Sequence, residues 1–297
     1  MVTTTTSAAL DNIRKSFNFN VDVLPLFGPE GIRTGVYGLF RDDDGQFVGR
    51  KSVTRGYIPH QTEDLVAIAQ AVAHVFDDGD IEAKCHWKQG HWVSVAPSNE
   101  YRRNVFGTND AIFPRLLINA GYNGRAFKVS CGFYRDMCRN LSMVTGAGES
   151  IARTIRHTHS LDSRIQELIE DLRGLRKGWS DTVETIRRMS EVETNAADFI
   201  REVFPTPEAP TQRQTTIAEN RIDAIYNRLA RESRQLGFEM PNRNNGYRAN
   251  GWLLFNAVQG YVQHDMTRRG KPGQFDRMLS ALEEPVVDRA AELVLAV

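Results

Sequence analysis

A chain of 297 residues with 37 Lys and Arg against 37 Asp and Glu has a formal charge of zero, so no global basic field draws it to nucleic acid. Hydrophobic residues at 41% and charged residues at 25% match ordinary folded domains, which excludes wholesale disorder and fibrous chains. No run approaches the ~20 apolar residues of a bilayer span, and MVTTTTSAALDNIRK lacks a basic start followed by an apolar stretch.

In chain order, VDVLPLF reads as a short apolar strand, and TGVYGLFRDDDGQFVGRKSVTRGYI as two β-rich runs joined at Asp44-Gly45, a hairpin signal. QTEDLVAIAQAVAHVF opens with Thr62 and spaces Leu65, Val66, Ile68, Ala69, Val72 and Val75 as one helical face, expected to pack on that hairpin sheet. IEAKCHW and HWVSVAP read as strands joined at Lys88-Gln89-Gly90, and FPRLLINAGYNGRAFKVSC as a strand pair turning at Tyr122-Asn123-Gly124. GFYRDMCRN, residues 132–140, reads as a short helix with Arg135 and Arg139 at i and i+4.

From Ser160, read as an N-cap, the pattern turns helical as far as Phe204, with a break at Gly174 or Gly178. Residues 205–216 form a Pro/Thr-rich loop, and IAENRIDAIYNRLARESRQLGF follows as a helix. NGWLLFNAVQGYVQHD is a buried amphipathic helix with Trp252, Phe255, Val258 and Val262 as its apolar side, and His264 and Asp265 capping or pairing locally. The expected fold is α+β, with a mixed, mostly antiparallel sheet and packed helix over 1–150 and a largely helical remainder over 151–297.

Cys85, Cys131 and Cys138 are an odd number, which fits free thiols in a reducing, cytoplasmic compartment. His157, His159, Cys131 and Cys138 are zinc-ligand types, but C-x6-C and H-x-H are not the knuckle spacings that seat two ligands on one ion, so no metal or other cofactor is expected. Asp42-Asp43-Asp44-Gly45 lacks the spacing of a calcium loop and reads as a turn. No nucleophile elbow, phosphate-binding loop or dinucleotide fingerprint occurs, which favours a protein without covalent catalysis.

Charge distribution is more informative than its sum. Between Tyr101 and Ser160, nine Arg and Lys face three acids. Lys128, Arg135, Arg139, Arg153, Arg156 and His157 are candidate phosphate contacts, the last three just before the helix start at Ser160, with Phe133 and Tyr134 as candidates for base stacking. A second reading stands beside this one: residues 160–204 hold ten acids against seven bases, and could pair with the same cations.

The blocks DDDGQFVGRKSVTRGYIPHQTEDLVAIAQAV, LLINAGYNGRAFKVSCGFYRDMCRNL, TIRHTHSLDSRIQEL and FNAVQGYVQH, in this order between Asp42 and His264, resemble a phage/plasmid-like family classed as domain of unknown function family 932. Arg135, Cys138, Asn140, Arg156, His157 and Thr158 match that family's pattern, whereas Ala120, Tyr122 and Asn123 depart from it. The resemblance implies a gene of mobile elements and no defined activity. The hairpin, helix and further sheet are also similar in topology to the core of ring-forming single-strand annealing recombinases. Together these lead to the expectation of a non-catalytic, single-stranded DNA binding or annealing protein for recombination or replication. Its partners would be single-stranded nucleic acid and further copies of itself, with no membrane. The alternative is a protein-interaction or counter-defence factor of a mobile element, acting through the helical half.

Overall fold

The computed structural model describes residues 6–49, 51–76, 81–86, 92–97, 101–105, 109–122, 126–135, 141–142, 152–266, 277 and 284–296. Its architecture is α+β, with antiparallel sheets and, among the described residues, eight α-helices. The chain divides into two compact units: unit 1 takes Met1–Tyr101, Pro114–Cys131 and Ser150–Lys177, and unit 2 takes Arg102–Phe113, Gly132–Glu149 and Gly178–Val297.

Unit 1 opens with α1 (Thr6–Ser16), an element the sequence reading did not identify, whose Ala9 and Ile13 are buried. β1 (Val21–Phe27) and β2 (Arg33–Arg41) then pair antiparallel, Val21 opposite Arg41 and Phe27 opposite Arg33. The acidic run that follows is a turn. Arg41 N–H donates to the Gln46 carbonyl and Gln46 N–H to the Asp44 carboxylate, each at 2.9 Å. Gly45 takes φ 68°, which a side chain would disfavour. The second expected strand of this hairpin reduces to isolated bridges, Tyr37 to Val53 and Phe40 to Phe47.

α2 (Thr62–Val75) begins where the Asp64 carboxylate accepts the Gln61 N–H at 2.7 Å, satisfying a donor at the helix start. Thr62, the expected first residue, is the first of the helix, and its hydroxyl donates to the Phe17 carbonyl just after α1. The buried face of α2, Leu65, Val66, Ile68, Ala69 and Val72, shares a core with α1, β3 (Ile81–His86) and β4 (Trp92–Pro97). This corrects the expectation that it packs on the hairpin, which has a separate small core of Phe19, Val21, Leu39 and Tyr122.

With β5 (Arg103–Val105), β6 (Asp110–Asn119), β7 (Phe127–Arg135), β8 (Leu141–Ser142) and β9 (Ala152–Ile155), the main sheet has the order β3-β4-β6-β7-β8, with β5 on β6 and β9 on β7. In unit 1, Val93 faces Ile118 and Phe127 faces Ile155 across this sheet, and α3 (Leu161–Leu172) adds Leu161, Ile165 and Leu168 to the core. Residues 132–135, expected to open a helix, continue β7. Phe127, Val129, Cys131, Phe133 and Arg135 are buried on alternating positions, the period of a strand. Residues 136–140, Asn123-Gly124 and Lys88-Gln89-Gly90 lie outside the described residues.

The long helix expected over 160–204 is divided. α3 stops at Leu172, Gly174 marks the break, and α4 (Leu175–Glu191) follows. Unit 2 then has β10 (Glu193–Asn195) antiparallel to β11 (Arg248–Asn250). Each strand ends in an asparagine that caps a helix: Asn195 accepts from Ala197 and Asp198 N–H to start α5 (Ala196–Val203), and Asn250 from Trp252 and Leu253 N–H to start α7 (Gly251–Gly260). Thr211 caps α6 (Gln212–Leu236), so residues 212–216 of the expected loop are helical. α7 is buried on every side, not on one face. Asp265 pairs with Arg228 of α6, 2.8 Å away and 37 residues earlier, in place of a local partner. α8 (Pro285–Leu295) buries Val287, Ala290, Ala291 and Val294. Among the described residues no helix is long and apolar enough to cross a membrane.

Candidate functional site

In unit 1, β9 exposes Arg153 and Thr154 and buries Ile155, and the chain then turns into α3. Thr158 N–H donates to the Arg156 carbonyl at 2.9 Å, and Leu161 N–H to the Thr158 carbonyl at 2.8 Å. Ser160 occupies the N-cap position, but its hydroxyl pairs with that of Thr158 at 3.1 Å, and no side chain caps the helix. The first N–H groups of α3 therefore keep the partial positive charge of a helix start. Beside them lies a groove of about 860 Å³, lined by Arg153, Arg156, Thr158, Ser160, Arg164, Glu167, Glu170 and Asp171 among others.

The groove is electrostatically mixed. Arg153 pairs with Asp171 at 2.6 Å and Arg164 with Glu167 at 2.7 Å, all four side chains at least one-third exposed. Glu170 turns to Arg173 at 2.6 Å. Arg156 is exposed and makes no ion pair with a described residue. Arg164 was not among the residues singled out from sequence; its position four residues after Ser160, one turn into α3, was the signal that it shares the face of the helix start.

His157 is not presented to this groove. Its Nδ1 lies 3.0 Å from the Ile58 carbonyl while its own carbonyl accepts the Ile58 N–H at 3.1 Å. A carbonyl only accepts, so Nδ1 carries the proton and Nε2 is the bare nitrogen. Nε2 is buried without a hydrogen-bond partner, and burial holds the imidazole pKa below its usual value. Tyr57 stacks on His157 at 4.5 Å, and burial pushes its phenol well above the usual range. His60 lies 5.4 Å from His157 and stacks on Tyr122 at 4.5 Å, nearly parallel at 6°. The histidine that joins His157 is thus His60, 97 residues earlier in the chain, and the sequence neighbour His159 is exposed. His157 fastens the segment around Ile58 to the approach of α3, which corrects its assignment as a phosphate donor.

Two further candidates are corrected by burial. Arg135 in unit 2 has no exposed surface: Nε and Nη2 donate to the two Asp110 oxygens at 2.7 and 2.8 Å, and Nη1 donates to Glu232 at 2.5 Å. Trp252 Nε1 donates to the same Asp110 carboxylate at 3.2 Å. Phe133 is buried with its ring 6.0 Å from that of Trp252. A guanidinium and a ring enclosed in this way meet no external phosphate or base. Tyr134 is half-buried, tilted against Phe113 at 5.4 Å. Lys128 is half-buried on β7, opposite Thr154 of β9. Arg139 and Cys138 lie outside the described residues. Of the cations expected together, the structure brings Arg153 and Arg156 to one groove and adds Arg164.

A family model described as a domain of unknown function (DUF932) matches residues 50–283. No curated protein and no solved structure matches the chain.

Proposed function

The chain belongs to this family, DUF932, and from that premise we propose that the groove at the start of α3 binds the phosphate backbone of single-stranded nucleic acid, without covalent chemistry, in recombination or replication of a mobile element. The observation that carries the reading is the convergence of Arg153, Arg156 and Arg164 with an uncapped helix start on one concavity. Guanidinium forks match phosphate oxygens bidentately, and the N-cap residue of α3, Ser160, lines the same groove, at the positive end of the helix. Arg156 is the anchor, since it gives up no ion pair with a described residue to bind. A concave groove suits a flexible single strand better than a duplex, a stiff rod with a persistence length of about 50 nm. The test is a titration of single- and double-stranded DNA and RNA oligonucleotides across a salt series. The reading expects salt-dependent binding that is tightest for single strands; affinity unchanged by salt, or no binding, would remove it.

One observation favours a second reading, a protein-interaction factor. Of the eight exposed large apolar side chains among the described residues, six fall between residues 24 and 58: Leu24, Phe27, Ile32, Val36, Phe47 and Ile58. Where such side chains join into one patch, the patch marks an interaction surface. This would place the interaction on the hairpin region and not in the helical half. Stable co-purification of a protein lost on Phe27→Ser, with no oligonucleotide shift, would favour it.

A further inference from the structure

Two of the three groove arginines already hold an anion, and it belongs to the same chain. Arg153 reaches Asp171 through both Nε, at 2.7 Å, and Nη2, at 2.6 Å. Asp171 lies in the last turn of α3, so this pair spans the groove from β9 to the far end of the helix. Arg164 holds Glu167 one turn along the same helix at 2.7 Å. A phosphate that takes the Nε–Nη2 edge of Arg153 must therefore displace Asp171, and one that takes Nη1 of Arg164 must displace Glu167.

We propose that Asp171 and Glu167 are built-in counter-ions of the groove, holding Arg153 and Arg164 in the free protein and releasing them to phosphate on binding. This regulation rests on the reading of the groove as a phosphate site. Its physical basis is the weakness of solvent-exposed ion pairs: each is screened, and costs little to exchange. A polyanion supplies several phosphates at once and replaces both carboxylates, whereas a lone anion meets them as competitors. The groove thus discriminates by number of charges, binding an extended phosphate chain and rejecting isolated anions. The apparent affinity is the intrinsic affinity reduced by the fraction of molecules whose pairs are closed.

Removing a carboxylate near any phosphate site also helps by simple charge, so the test must separate release of Arg153 from loss of repulsion. Glu170→Gln provides that control, because Glu170 lines the same groove but pairs with Arg173 and holds neither groove arginine. Binding of a fluorescent single-stranded oligonucleotide is measured for the full chain, Asp171→Asn, Glu170→Gln, Arg153→Gln and the double variant Arg153→Gln/Asp171→Asn. Asp171→Asn is expected to tighten binding about threefold beyond Glu170→Gln, within the range of exposed ion pairs, and that extra gain is expected to vanish in the Arg153→Gln background. An equal gain for Asp171→Asn and Glu170→Gln, or an extra gain that persists without Arg153, would overturn the counter-ion role while leaving salt-dependent binding intact. Absence of any binding by the unaltered chain would overturn both.

Discussion

Arg135 in unit 2 and Arg156 in unit 1 are the same side chain in opposite surroundings. The first has no exposed surface and three hydrogen bonds to Asp110 and Glu232, and the second is exposed and makes no ion pair with a described residue. Two buried carboxylates and one guanidinium hold one another because none can be left alone out of water. Such an arrangement is structural by necessity: the guanidinium that would bind an external anion is the one that holds both buried carboxylates. An exposed arginine has no such duty and is available for binding.

Removing the buried guanidinium gives the largest expected effect. Arg135→Met leaves Asp110 and Glu232 buried without their cation, and unfolding of unit 2 in urea should come at about 3–5 kcal/mol lower stability. A loss below about 1 kcal/mol would mean that the cluster does not hold unit 2 together. Thr211→Ala removes the side chain that accepts the Gln214 N–H at the start of α6 and should cost about 1 kcal/mol by the same measurement.

The buried imidazole sharpens the contrast through pH. The folded pKa of His157 lies below its ordinary value of 6.5, so the folded state refuses a proton that the unfolded chain accepts. Its contribution to stability is complete above pH 6.5 and is lost as the pH falls below that value toward the folded pKa. Burial depresses His264 in the same direction, so the readout is a difference: the loss of stability on acidification should be smaller in His157→Asn than in the unaltered chain. Equal losses would show that His157 is not held neutral by burial. Tyr57→Phe is expected to change stability least. It deletes a buried hydroxyl without a hydrogen-bond partner, so stability should hold or rise slightly.

The same contrast explains what was legible in the sequence. β1, the Asp44-Gly45 turn, the buried face of α2 and the start of α3 at Ser160 rest on signals within a few residues of one another, and periodicity and the residue preferences of turns and helix starts reveal them, although Ser160 does not cap α3 through its side chain. β7 carried its strand period through Arg135, but a buried arginine reads as an exception until its partners are known. Asp110 is 25 and Glu232 97 residues away, beyond any local pattern. His157 and His159 are neighbours in sequence, yet the contacts of His157 are with Ile58, Tyr57 and His60, which only the fold brings near. Arg153 and Arg156 were placed correctly beside the α3 start because the chain between them and Ser160 is too short to lead elsewhere.

The most direct test of the central claim is the salt dependence of single-stranded oligonucleotide binding by the unaltered chain and by Arg156→Gln. The account predicts that Arg156→Gln binds severalfold more weakly, with its log–log salt slope lowered by about 0.7, the value of one single-strand phosphate contact, and with stability changed by less than about 0.5 kcal/mol. An unchanged slope and affinity in Arg156→Gln would contradict the assignment of the groove.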